Sequence, residues 1–100
     1  MALSLLFTTS FYRAIKNLDP QQLQIIALLI ETLKAYYASG SILSEGLKIT
    51  PRFVYKKLQG DFYEAGVEGK LRVVIRKEGS NCTAIFAGNH DQIRRFLASS

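Results

Sequence analysis

Apolar and basic residues alternate along residues 70–77, and this stretch predicts more about the fold than any other. Side chains alternate between the two faces of a strand, so every second position shares a face. One face carries the apolar side chains of Leu71, Val73 and Ile75, which are expected to meet a core. The other face carries Arg72, Val74 and Arg76.

The same stretch predicts a β-hairpin with the residues that precede it. A two-residue connection would put Glu64 on the apolar face, whereas a three-residue connection pairs Val67 with Leu71 and keeps that face apolar. We therefore predict a three-residue connection, residues 68–70, in which Gly69 adopts positive φ. Glu64 then lies on the face opposite the core.

Before the hairpin, the pattern predicts a strand and two helices. Residues 3–8 form an apolar first strand, and Thr9 or Ser10 caps a short helix that ends near residue 17. Asp19, Pro20 and Gln22 have the spacing of an N-cap, a first-turn proline and a capping-box partner.

The second helix is predicted to end near Ser39, before Gly40. Its main apolar stripe is expected to contain Leu23, Ile26, Ala27, Ile30, Leu33 and Tyr37, with further apolar residues, such as Ile25 and Leu29, beside it. A helix this apolar either packs against both the sheet and the first helix or offers a docking surface to a partner protein.

The remaining segments complete an α+β domain. Residues 39–51 are predicted to form a loop, with a possible edge strand at residues 47–49. A second turn at residues 78–81, a last strand at residues 82–87 and a helix that begins at Asp91 follow. We predict a single domain over residues 1–100, with the order strand, two helices, three antiparallel strands and a short C-terminal helix.

Composition and charge narrow the class of protein. The chain of 100 residues is 48% hydrophobic, with a formal net charge of +5, so we expect a folded domain with a polyanionic or acidic partner. Residues 48–77 contain eight basic side chains against three acidic ones. A single cysteine, Cys82, fits a reducing cytoplasm and excludes an internal disulfide framework. The apolar run near residues 23–33 is too short and too polar to span a bilayer, so we expect no membrane partner.

Several motifs resemble the RelE/ParE-type toxin superfamily. They lie at residues 56–60, 62–64, 71–76, 85–90 and 93–97, and the predicted element order extends the resemblance over nearly the whole chain. The resemblance implies a compact βααβββ domain whose antiparallel sheet packs on two helices. Many members of the family are ribosome-dependent mRNA endonucleases of type II toxin–antitoxin pairs. It therefore implies two partners, a cognate antitoxin protein and mRNA on the ribosome.

The resemblance also suggests site residues. Arg72 matches the phosphate-contacting arginine of the hairpin, and His90 matches the position at which several members carry a catalytic histidine or arginine. Lys56 and Lys57 lie in the basic approach to RNA, to which we add Arg52 and Lys70. Glu64 and Gly66 depart from the family pattern, because some of its nucleases carry lysines there.

Cleavage of this kind needs no metal or cofactor. Glu64 is the candidate base for the ribose 2′-OH, Arg72 and Arg76 are the candidate anion stabilisers, and His90 is the candidate acid. In the alternative interpretation these residues form exposed ion pairs on a solvated sheet face, and the domain acts only by binding proteins, as a ParE-like or degenerate relative.

Overall fold

The structure, a computed structural model, describes residues 4–99 and contains one five-stranded sheet. The elements in chain order are β1 (Ser4–Phe7), α1 (Thr9–Lys16), α2 (Pro20–Ala38), α3 (Leu43–Ile49), β2 (Val54–Gln59), β3 (Phe62–Gly66), β4 (Arg72–Glu78), β5 (Asn81–Gly88) and α4 (His90–Ala98). Leu3, the predicted start of the first strand, lies outside the described residues.

The strand order across the sheet is β1-β5-β4-β3-β2. Strands β2 to β5 form an antiparallel meander, and β1 pairs in parallel with β5, with Ser4 opposite Asn81. The predicted α+β class is confirmed. The predicted order was incomplete, because residues 54–59 form a fourth meander strand, and the sheet is mixed rather than antiparallel.

The hairpin between β3 and β4 has the predicted register. Glu64 lies opposite Val74, and Ala65 lies opposite Val73. This is the register that the three-residue connection predicts, although the strands themselves end at Gly66 and begin again at Arg72. Gly69 between them has a φ of 62°. The apolar pattern was sufficient here because a shift of one residue would have exchanged the two faces.

The first two helices begin at side-chain caps. Asp19 and Gln22 form the predicted capping box at the start of α2. For α1 the predicted cap was wrong by one residue: Thr8 Oγ1 accepts a hydrogen bond from the backbone N–H of Phe11. Ser10 is unsuited to capping because its hydroxyl donates to the carbonyl of Ile85 on β5.

Residues 43–49 form helix α3, so the prediction of a loop with an edge strand at residues 47–49 was wrong. The short helix packs through Gly46, where an added Cβ would lie 2.6 Å from the ring of Phe53. Glu45 and Lys48, one turn apart, form an ion pair of 3.0 Å on its outer surface. The glycine favoured a loop in the sequence, but here it allows close contact between the helix and an aromatic ring.

The main core lies between the sheet and the helices α1 and α2. Its buried side chains include Phe11, Leu29, Leu33, Val73, Ile75 and Cys82. Burial raises the pKa of the Cys82 thiol, so this cysteine is packing material and not a nucleophile.

Helix α4 covers part of the opposite face of the sheet. Phe86 of β5 stacks on Phe96 of α4 with their ring centroids 4.4 Å apart, and Val74 and Ile93 are buried on this side. The face predicted to be solvated is therefore partly enclosed. This enclosure determines the environment of Glu64.

Candidate active site

A small cavity collects five of the predicted site residues at the end of the hairpin. It has a volume of about 190 Å³ and is lined by Lys56, Glu64, Gly69, Lys70, Arg72 and His90. The side chains come from β2, β3, the hairpin connection, β4 and the first turn of α4. The cavity thus joins one carboxylate, three cations and the single histidine of the chain.

Glu64 is a nearly buried carboxylate, with 3% of its surface exposed. Its Oε2 lies 3.3 Å from Nζ of Lys56, the residue directly opposite it on β2. A buried charge is tolerated only when it is paired, so Lys56 compensates the burial of Glu64 while its own side chain stays largely in solvent. The exposed ion pairs of the alternative interpretation do not describe this carboxylate.

Arg72 lies across the hairpin and not out into solvent. Its Nη1 donates hydrogen bonds to the carbonyl oxygens of Gly69 and Leu71, at 2.8 and 3.0 Å. Its side chain occupies the space beside Gly66, where a Cβ would lie 2.5 Å from Cδ of Arg72. Within residues 4–99 the Nε and Nη2 groups of Arg72 have no hydrogen-bond partner, so the guanidinium retains donors for an anion.

His90 is held at the first position of α4. Asn89 caps the helix in a capping box with Gln92, which fixes the point at which the chain leaves β5. Nη2 of Arg94 lies 3.1 Å from Nε2 of His90, and because arginine only donates, Nε2 accepts in this arrangement. His90 and Glu64 also line a second cavity of about 230 Å³ together with Arg94.

Three predicted site residues lie outside both cavities. Arg76 shares the face of Arg72 but lies four residues further along β4, and its Nε pairs with Glu78 at 3.1 Å. Lys57 lies opposite Tyr63, on the other face of the sheet, and Arg52 is exposed before β2. The RNA-binding roles of Lys57 and Arg52 remain predictions, whereas from this position we no longer expect Arg76 to contact the reacting phosphate.

Arg94 is the residue that the sequence interpretation missed. It follows His90 by four positions, which places the two side chains on one face of α4. The four-residue spacing would have indicated this contact only if the cap of α4 had been placed at Asn89. The prediction began the helix at Asp91 instead.

A larger groove lies on the other side of the hairpin connection. Its volume is about 680 Å³, and it runs between Arg13 and Leu18 of the first helical region, Lys70 of the connection and Gln92 of α4. It contains neither Glu64 nor Arg72 nor His90. We therefore place the candidate active site in the smaller cavity, where the groups suited to proton transfer and anion binding meet.

The described part of the chain contains neither a metal-binding cluster nor a membrane-spanning helix. Between Ser4 and Ser99, no group of three or more His, Cys, Asp or Glu side chains is arranged to hold a metal ion. None of the helices in the same range combines the length and apolar character needed to cross a bilayer.

Comparison with solved structures identifies the fold. A chain of the RelB–RelE antitoxin–toxin complex from Methanococcus jannaschii superposes with a TM-score of 0.64 at 19% identity, over 92% of this chain and 98% of that one. A chain of the RelBE2 toxin–antitoxin complex from Mycobacterium tuberculosis gives 0.54 at 18% identity, over 90% and 100%. YafQ from Escherichia coli gives 0.51 at 13% identity, over 91% and 97%.

The protein therefore has the fold of the RelE-type toxins, and the resemblance inferred from the sequence is confirmed at the level of the fold. At these identities the likeness is one of fold alone. No family model matches the sequence, and no curated protein matches it.

Proposed function

We propose that this protein is the toxin of a type II toxin–antitoxin pair and cleaves mRNA bound to the ribosome. The observation that carries the proposal is the cavity that joins Glu64, Arg72 and His90. The structural neighbours support the role of toxin, since two of them come from antitoxin–toxin complexes. The basic side chains of Lys56 and Lys70 at the same cavity suit an RNA backbone, and the cognate antitoxin is the expected protein partner.

The cavity supplies the groups that metal-free RNA cleavage requires. Glu64 accepts the proton of the ribose 2′-OH, and the 2′ oxygen attacks the adjacent phosphorus. The free donors of Arg72 stabilise the charge that develops on the phosphorane. His90 gives a proton to the departing 5′ oxygen, so the products are a 2′,3′-cyclic phosphate and a 5′-hydroxyl end.

His90 must change its contact with Arg94 to act as the acid. A protonated imidazole has no lone pair on Nε2 and cannot accept from a guanidinium. We therefore expect the protonated ring to turn from Arg94 toward the cavity that it shares with Arg72.

The test compares two arginines on the same face of β4. Arg72→Ala should lower cleavage of ribosome-bound mRNA about 10²–10³-fold, as is typical for the loss of one preorganised contact to a developing anion. It should cost only about 1 kcal/mol of stability, because the two carbonyl groups that it releases lie near solvent. Primer extension on mRNA in a purified translation system measures the rate, and end-group analysis identifies the products.

Arg76→Ala is the matched control, because Arg76 is paired with Glu78 outside the cavity. It should cleave within about twofold of the unchanged protein, whereas His90→Gln should slow cleavage with little change in RNA binding. Equal rates for the two arginine variants would show that the cavity is not the active site.

A second candidate function is protein binding without catalysis, as in a ParE-like or degenerate relative. The observation that favours it is that charged groups of the cavity already have partners within the protein. Lys56 pairs with Glu64, and Nη1 of Arg72 donates to backbone carbonyls. Induction of the chain without its antitoxin separates the two functions. Growth arrest with cleaved transcripts supports the nuclease, whereas arrest with DNA damage and intact mRNA supports a gyrase-directed relative.

A further inference from the structure

The larger groove beside the candidate active site contains polar side chains that the proposed mechanism does not use. It lies between α1, the connection from β3 to β4 and the end of β5, and its volume is about 680 Å³. We call it the α1 groove and define it by six of its lining residues, Arg13, Asn17, Leu18, Glu68, Lys70 and Phe86.

The cavity around Glu64 is too small to hold a whole nucleotide. Its volume is about 190 Å³, below the roughly 300–1,000 Å³ of pockets that enclose a drug-sized ligand, and a nucleotide is a ligand of that size. The cavity can therefore take the reacting phosphate and the atoms next to it, while the flanking nucleotides lie outside. The course of these nucleotides over the surface decides which further side chains contact the RNA.

The α1 groove meets this cavity at the hairpin connection. Gly69 and Lys70 line both of them, so the connection is the border that the two share. At Gly69 an added Cβ would meet no other described atom within 4 Å, which leaves the surface of the connection open at this point. A strand whose phosphate lies beside Arg72 can thus cross Gly69 and enter the groove at Lys70. This continuity favours RNA over a protein segment as the occupant, because the strand bound in the cavity has to continue beyond it.

Two cations of the groove are free to bind phosphate. Arg13 and Lys70 are exposed, and within residues 4–99 neither forms an ion pair. They come from different walls of the groove, α1 and the hairpin connection. Cations along a groove bind the phosphates of a single strand by charge, whatever its sequence.

The remaining polar side chains suit the edge of a base. Asn17 ends α1, and its side-chain amide has no hydrogen-bond partner among the described residues. Glu68 is exposed, and among residues 4–99 it forms no ion pair. Leu18 and Phe86 supply apolar surface for the flat face of the ring. A carboxylate accepts a hydrogen bond from the exocyclic amino group of cytosine, whereas uracil carries a carbonyl oxygen in that place.

We propose that the α1 groove binds a nucleotide of the RNA strand outside the cleaved bond and selects bases that carry an exocyclic amino group over uracil. Arg13 binds a phosphate of this part of the strand, and Glu68 accepts a hydrogen bond from the base. The proposal rests on the proposed function, because it assumes that the same strand has a phosphate beside Arg72.

The probes are RNA oligonucleotides with 2′-O-methyl groups throughout, which lack the attacking hydroxyl and cannot be cleaved. In nuclear magnetic resonance spectra a dinucleotide of cytidine or of uridine should shift amide signals around Glu64 and Arg72. Pentacytidine should also shift those of α1 and bind at least about tenfold tighter than its dinucleotide. Pentauridine should bind about fivefold more weakly than pentacytidine, whereas the two dinucleotides should bind alike.

Arg13→Ala tests the phosphate contact. It should weaken binding of pentacytidine at least about fivefold, and it should flatten the slope of log affinity against log salt concentration by about 0.7, as expected for one phosphate contact on a single strand. Lys16→Ala is the matched control, because Lys16 is an exposed cation of the same helix and is not among the residues that line the groove. It should change the affinity by less than about twofold.

Glu68→Gln tests the contact to the base. It should abolish the preference for pentacytidine over pentauridine, because an amide donates to the carbonyl of uracil as well as it accepts from the amino group of cytosine. Glu31→Gln, at an exposed glutamate of α2 that is not among the lining residues, should leave the preference unchanged.

Failure of this proposal can be told from failure of the proposed function. Suppose that the protein cleaves mRNA, but pentacytidine binds no tighter than its dinucleotide, or Arg13→Ala and Lys16→Ala weaken binding equally. The groove is then not an RNA site, although the cavity remains the candidate active site. A protein that does not cleave mRNA, but in which pentacytidine still shifts α1 and depends on Arg13, would refute the nuclease and leave the groove as a site for RNA.

Discussion

Gly66 determines where the side chain of Arg72 lies. The absence of a side chain at this position leaves room for Arg72 to lie across β3. The guanidinium then reaches the carbonyls of Gly69 and Leu71. The glycine at this position is thus explained by the arginine that fills the space.

Gly66→Ala should displace Arg72 with little effect on stability. The clash involves the flexible end of a side chain, and the φ of Gly66 is not among the positive values found in the chain, so alanine fits the backbone. Displacement of about 1 Å in a preorganised site can reduce the rate up to about 10²-fold. We expect a loss of between about tenfold and that value, measured as cleavage of ribosome-bound mRNA.

The double variant with Arg72→Ala is the control. If Gly66 acts only through Arg72, the double variant should cleave at the rate of Arg72→Ala alone. Independent losses that multiply would contradict this account. The exchange rate of the Arg72 Nε proton reports the displacement without any cleavage assay.

The sequence predicted the face of a strand on which a side chain lies better than it predicted the distance between two side chains. Alternation along the hairpin correctly placed Glu64 and Arg72 on one face, because the apolar residues opposite them fix the register. It gave Arg76 the same face, but four residues along a strand span about 13 Å, and that separation removes Arg76 from the cavity. Arg94 was missed because its proximity to His90 depends on the cap at Asn89.

At the scale of elements, helix α2 shows where the predicted and the observed buried residues of one helix differ. The predicted stripe included Leu23 and Ala27, which are exposed, and treated Leu29, which is fully buried, as surplus. Helix α2 contacts strands β1 and β3 and helix α3, and within the described residues α1 is not among its main neighbours. The predicted contact with the sheet is present, but the helix that packs against α2 is the unpredicted α3 and not the first helix.

Aromatic side chains join the end of α2 to the sheet. Tyr36 of α2 packs against Phe53 and Tyr55, and Tyr37 packs against Tyr55, which in turn stacks on Tyr63. The hydroxyls of Tyr37 and Tyr55 are 2.9 Å apart. Burial raises the pKa of Tyr55 to about 12 and raises that of Tyr37 further above its usual range. The α2–β2 contact thus depends on neutral phenols.

This contact should make the protein sensitive to alkaline pH. In the unfolded chain these tyrosines lose their protons near pH 10, whereas the folded protein retains them. Above pH 10 the unfolded state therefore binds fewer protons, and stability falls by about 1.4 kcal/mol per pH unit for each fully protected tyrosine. Urea unfolding at pH 8, 10 and 11 measures the slope.

Tyr37→Phe combined with Tyr55→Phe should flatten that slope. Tyr12→Phe, at an exposed tyrosine on α1, should leave it unchanged. A slope unaffected by the double substitution would assign the alkaline loss of stability to other groups.

At the scale of the whole molecule, the sequence predicted three strands of the meander but not the strand that completes the sheet at β5. The strands of a meander are adjacent in the chain, and turns at glycines such as Gly69 and Gly79 mark their ends. The partner of β1 lies far along the chain, and no local pattern specifies it. Only the structure shows that β1 lies beside β5.

That distant pairing has a consequence for the order of folding. Closing a long loop costs more entropy than closing a short turn, so the meander is expected to form before β1 docks on β5. In pulsed hydrogen exchange during refolding, amides of β3 and β4 should become protected earlier than those of β1, and simultaneous protection would contradict this order.

Every charged side chain of the candidate cavity lies between Lys56 and His90. The candidate site can therefore be assembled in a chain whose main core is still open to water.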